Sequence, residues 1–136
     1  MAIASVSKAN QCLPVEFEEN YRAAQHIFFG KVRKVEYVQP PHAAFLHGPI
    51  RPPCGDKTIV FDIIKSWKGT QSGRISIFAE DSCAGLGGSY AAGKTYVVYA
   101  YPYDGKLLTT ICHRTKRVTD PAQDEEILGL EEMRGH

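Results

Sequence analysis

The chain has 136 residues, 43% of them hydrophobic and 23% charged, which fits one globular domain with a real core and argues against disorder. Lys and Arg number 16 against 15 Asp and Glu, so the basic surplus with which nucleic-acid binders neutralise phosphates is missing. No apolar run approaches the roughly 20 residues that cross a bilayer, so no membrane span is expected.

Residues 1–11 read as a flexible N-terminal arm, and 12–134 as the folded domain. The arm lacks the apolar stretch of a complete signal peptide, so a leader, if the protein has one, is expected to have been removed. Glu16 to Ala24 forms a short helix on the pattern Phe17, Tyr21, Ala24, spaced i, i+4, i+7. His26 to Val38 is the first strand. Phe28, Gly30 and Val32 alternate in one phase, Val35 and Tyr37 in the other, which places a β-bulge at Arg33-Lys34.

Gln39 to Asp56 holds five of the eight prolines with His42 and His47, and reads as an insertion loop at about 39–56. Strands are expected at Thr58 to Trp67 and Gly73 to Ala79, then, after a glycine-rich stretch, at Thr95 to Tyr101. Asp104-Gly105 predicts a tight hairpin turn with positive φ at both positions, returning along Leu107 to Cys112. Asp120 as N-cap, Pro121 in the first helical position and Gln123 as capping partner predict a C-terminal helix. Ala122, Ile127 and Leu130 are expected to face the barrel, with the acidic residues outside. The fold class is therefore all-β with flanking helices: a five-stranded barrel resembling the oligonucleotide/oligosaccharide-binding (OB) type, with a short N-terminal and a C-terminal helix.

Cys12, Cys54, Cys83 and Cys112 are even in number and dispersed, without the Cys-x-x-Cys pair of most zinc sites. They read as two disulfides formed in an oxidising compartment, periplasmic or secreted, with three pairings open. Gly88 to Thr95 matches the phosphate-cradling pattern G-x-x-x-x-G-K-T. That chemistry needs a helix beginning at the lysine, whereas Thr95-Tyr96-Val97-Val98-Tyr99 is strand sequence, so the match is a coincidence of a glycine turn. Cys112 and His113 are neighbours on a strand and point to opposite faces, so they do not make a nucleophile and base. Trp67 reads as a plug at the barrel end, and Tyr96, Tyr99, Tyr101 and Tyr103 as core and rim. No enzyme activity, cofactor or bound metal is expected.

Ile27 to Val32, Val60 to Ile63 running to Trp67-Lys68-Gly69, Cys83 before a glycine turn, Gly93 to Ala100 and Leu107 to Thr115 follow one another in a telling order. Together they resemble the inhibitory domain of the tissue inhibitors of metalloproteinases, in its bacterial netrin-like relatives. The resemblance implies an OB-type barrel and the disulfide Cys12–Cys112; Cys54 in the insertion is then expected to pair with Cys83, a departure from the family's pairing. It also implies a protein-binding edge formed by Leu13 and Pro14 beside Ser82 and Ala84, and a protein partner such as a protease. Asn10 stands where the family has its first cysteine, so chelation of a protease zinc by an N-terminal cysteine is not expected. The function expected is an extracytoplasmic protein-interaction module, with a metal- or small-ligand-binding barrel using His42 and His47 as the alternative.

Overall fold

The computed structural model describes residues 16–37, 56–79, 90–110 and 114–134. A short helix, α1 (Phe17–Ala23), leads into the long strand β1 (His26–Tyr37). Next come β2 (Lys57–Lys68), β3 (Arg74–Ala79), β4 (Thr95–Tyr103) and β5 (Lys106–Thr109). The two-residue strand β6 (Lys116–Arg117) and the helix α2 (Glu125–Arg134) complete the fold.

The strands hydrogen-bond in the order β1-β2-β3-β5-β4, and β4 returns to pair with β1, so the sheet closes on itself. All pairings in the barrel are antiparallel except β3 with β5, where Phe78 faces Leu108 and Ala79 faces Thr109. A closed, mixed, five-stranded barrel with a helix at each end of the chain is the architecture expected from the sequence. Closure matters physically because β1 and β4, which would be the free edges of an open five-stranded sheet, pair with each other. The short β6, unforeseen in the sequence, lies against the start of β4, along the stretch that β5 does not reach and opposite β1.

Two cores result. Phe28, Val32, Ile59, Phe61, Ile77, Tyr96 and Val98 fill the barrel, with Phe61 edge-on to Phe28, Tyr90 and Tyr96. Ile27, Phe29, Trp67, Val97, Tyr99, Ile127 and Leu130 form a second cluster outside the wall, beneath the helices. Strands covered on both faces lose the alternation of a half-exposed sheet, which is why Ile27-Phe28-Phe29 and Tyr96-Val97-Val98-Tyr99-Ala100 are buried as unbroken runs. Trp67 belongs to this outer cluster, so it is a wall residue beneath α2 and not an end plug.

The Asp104-Gly105 turn has φ of 51° and 75°, the positive pair the hairpin requires. Gly93 is likewise at positive φ. Its amide donates to Val32 O and that of Lys94 to Ala91 O. These two amides, which a nucleotide-binding loop would turn toward phosphate, are thus spent on the fold, and a strand follows at Thr95.

The C-terminal helix differs from expectation. Asp120 caps only a turn, accepting the Ala122 amide at 3.1 Å. Asp124 is the N-cap of α2, accepting the amides of Glu126 at 2.9 Å and Ile127 at 3.0 Å. Starting four residues later brings Ile127 and Leu130 onto the barrel wall and leaves Ala122 exposed. One acid also turns inward: Glu126 is buried, held by both nitrogens of the Arg114 fork at 2.9 Å and by the Tyr99 hydroxyl. The return strand is shorter than expected, with β5 ending at Thr109.

Candidate protein-binding surface

The residues singled out from the sequence for binding, Leu13, Pro14, Ser82 and Ala84, lie outside the described residues. So do Cys12, Cys54, Cys83 and Cys112, and His42 and His47 of the insertion loop. Among the described residues no cluster of His, Cys, Asp and Glu has the makings of a metal site, and no helix is long and apolar enough to cross a membrane. The feature that stands out is on the barrel's outer wall.

Along β1 and β2 the pairing register slips three times. Val32 pairs with Phe61 and Lys34 with Val60, so Arg33 is one extra residue in β1. Phe29 pairs with Lys65 and Gly30 with Ile63, making Ile64 extra in β2, and Trp67 is extra in the same way between Ser66 and Lys68. A bulge breaks the alternation of faces and re-aims the side chain that carries it. All three lie toward the outside of the barrel: Arg33 reaches Asp62, Ile64 is 55% exposed, and Trp67 slides under α2. The bulge at Arg33-Lys34 is the one the sequence predicted; the two in β2 were not foreseen.

The β2 bulges build one wall of a groove of about 470 Å³, lined by Phe29, Ile64, Lys65 and Trp67 from the barrel and by Pro121, Ala122, Ile127, Leu128 and Glu131 opposite. Ile64 and Leu128, the latter 51% exposed, are two of the three large hydrophobic side chains that the described residues leave in water. They stand on facing sides of the same groove, so the exposed apolar area is concentrated and not scattered.

The groove floor is rigidly held. Trp67 Nε1 donates to Glu131 Oε2 at 2.9 Å, Lys65 forms an ion pair with the same carboxylate, and the Lys65 ammonium lies 5.9 Å from the Trp67 ring centre. Lys65 and Trp67 Nε1 hold the Glu131 carboxyl below its ordinary pKa, while partial burial works the other way. Arg134 near the end of α2 donates to Ser66 O on β2. Lys68 at the end of β2 donates to the carbonyls of Tyr21 and Arg22 at 2.7 and 3.0 Å, which satisfies the C-terminal turn of α1. Both helices are therefore pinned to β2 by charged side chains at its far end.

Beside the groove lies a charge cluster. Asp62 accepts from Arg33 Nη1 and from Arg74 Nε, each at 3.2 Å, and Lys31 is its direct cross-strand partner. Residues directly opposite in an antiparallel pair share a face, so three cations surround one carboxylate. Ile64 follows two residues along the same strand.

A larger cleft, of about 600 Å³, lies elsewhere on the barrel and includes His26, Thr58, Ser76, Phe78 and Lys106. Its aromatic platform is covered, because the Lys106 ammonium sits 4.7 Å from the centre of the Phe78 ring. The His26 ring nitrogen Nδ1 is also engaged, accepting the Thr70 amide at 3.1 Å.

Fold and surface together define a closed OB-like barrel with two flanking helices and a braced apolar groove on its wall. No family model matches the chain, and no curated protein matches it.

Proposed function

We propose that the protein is an extracytoplasmic protein-interaction module, inhibitor-like in kind, that works by binding and carries no catalytic site of its own. The observation that carries this reading is the pairing of Ile64 with Leu128 across a groove whose floor, Trp67, is fixed by Glu131 and Lys65. An apolar centre, an aromatic anchor and a polar rim are the anatomy of a protein contact. Rigidity supports it further, since a surface ordered before binding loses little entropy when a partner arrives. The resemblance to metalloproteinase inhibitors points the same way. It adds a second contact edge at Leu13, Pro14, Ser82 and Ala84; the even, dispersed cysteines are the support for a periplasmic or secreted location.

The test is affinity capture from periplasmic and secreted extracts with three baits: the oxidised wild-type protein, Ile64→Asp and Leu13→Glu. A partner held by the wild type and lost from Ile64→Asp supports the groove; one lost only from Leu13→Glu moves the contact to the other edge. Partners that ignore both substitutions would sink the proposal.

A further inference from the structure

Resting on the protein-binding reading of the groove, we infer that its occupant is a protein segment whose apolar side chain is flanked by carboxylates, and that the carboxylates lie on the barrel side. The charges around the groove are sorted. On the barrel side Lys31, Arg33 and Arg74 stand around Asp62, three positive charges against one negative. Arg33 and Arg74 keep roughly half or more of their side-chain surface in water, at 49% and 60%, so their fields reach solvent.

Ile64 is only two positions along the chain from Asp62, so their backbones lie within about 7 Å of each other despite the bulge. That is within the Debye length of about 8 Å at physiological salt, so a group seated on Ile64 feels the cluster. On the helix side the free charge is of the other sign: Glu125 is exposed near Leu128, while Glu131, which lines the groove, is already paired with Lys65.

A segment entering the groove is therefore pulled by its acids toward β2 and pushed by them from α2, which fixes the direction in which it lies. The bulge at Arg33 accounts for one of these charges. An extra residue in β1 delivers a guanidinium to a carboxylate that Arg74 already serves, which adds charge to the face beyond what pairing Asp62 needs. An anionic bilayer is the competing source of negative charge. It fits less well, because a flat surface that approached the cations would also meet the acidic face of α2.

The experiment is selection of a random dodecapeptide display library on the wild-type protein, with Ile64→Asp and the double variant Arg33→Gln/Arg74→Gln selected in parallel. The expected enriched peptides carry a large apolar residue next to Asp or Glu. They should bind the double variant roughly tenfold more weakly, with the difference shrinking in high salt, and should not bind Ile64→Asp. Peptides that need Ile64 but show no acidic preference overturn the charge inference and leave the groove standing. No enrichment over Ile64→Asp overturns both. Sedimentation with phosphatidylserine vesicles, lost on Ile64→Asp in the absence of any peptide enrichment, assigns the face to lipid and also overturns the inference. Thermal melts of each variant show that it is folded, as expected for substitutions at exposed positions.

Discussion

Glu126 is an acid turned inward from its helix, and it is buried because three donors wait for it on the barrel wall. Arg114 supplies two parallel hydrogen bonds of 2.9 Å, and the Tyr99 hydroxyl supplies a third. Arg114 in turn lies 5.6 Å from the centre of the Phe17 ring, so one carboxylate links both helices to β4. The residue adopts φ of 73°, a backbone state that a non-glycine residue holds only when its side chain is well anchored. A buried carboxylate that keeps its charge depends on all its partners. Arg114→Met strands that charge and is expected to cost more than Glu126→Gln, which keeps an acceptor for Tyr99. For Glu126→Gln the expected loss is about 2 kcal/mol, below the full cost of a broken buried pair because Arg114 is partly exposed and can turn to water. Urea unfolding curves check the order; equal midpoints for the two variants would show that the charge is not held by Arg114.

At the scale of elements, α2 shows how two similar signals are separated. Asp120-Pro121-Ala122-Gln123 has the look of a helix start, and Asp124-Glu125-Glu126-Ile127 does not look better. The fold chooses the second because a start at Asp124 lays Ile127 and Leu130 on the wall, sets Glu126 against Arg114 and lets Lys116 pair with Asp124 at 3.0 Å. Tertiary contact decides between caps of equal local merit. Asp124→Ala is therefore expected to lower stability by about 1 kcal/mol, and Asp120→Ala by a few tenths at most. Thermal melts of the two variants would reverse that order if the helix began where its sequence first permits.

The same limit applies to the strands and to the groove. The bulge at Arg33 was legible because Val32 and Val35 break an otherwise regular alternation. The bulges at Ile64 and Trp67 were not, because Ile59-Val60-Phe61-Asp62-Ile63-Ile64 is too apolar for a slipped register to leave a trace. A trace does exist in hindsight: Lys65 and Trp67 keep phase with Ile59 and Phe61 by count, yet Lys65 is exposed and Trp67 packs in the outer cluster, which an even strand does not allow. The barrel was thus readable from turns and alternation, whereas the groove arises where alternation fails.

For the whole molecule, the two cores share one wall, so loosening one exposes the other, and a single cooperative transition is expected. Their tyrosines make this testable with pH. Tyr90 lies in the inner core, and Tyr99 and Tyr101 lie in or against the outer one. Burial pushes all three hydroxyls well above the ordinary tyrosine value of 10.0, helped at Tyr99 by its hydrogen bond to Glu126. Below pH 10 the hydroxyls are protonated in the folded and unfolded chains alike, and they contribute no pH dependence. Above it the unfolded chain releases protons that the fold retains, so it binds fewer protons and stability falls as pH rises. The expected result is a level stability through neutral pH and a decline that begins near pH 10, with both cores lost in the same transition. Tyr101→Phe removes one proton from that balance and should make the decline shallower. Urea midpoints at several alkaline pH values, read beside tyrosinate absorbance of the native protein, measure both effects. Tyrosinate forming in the native state near pH 10 at all seven tyrosines would show that neither core shields its hydroxyls.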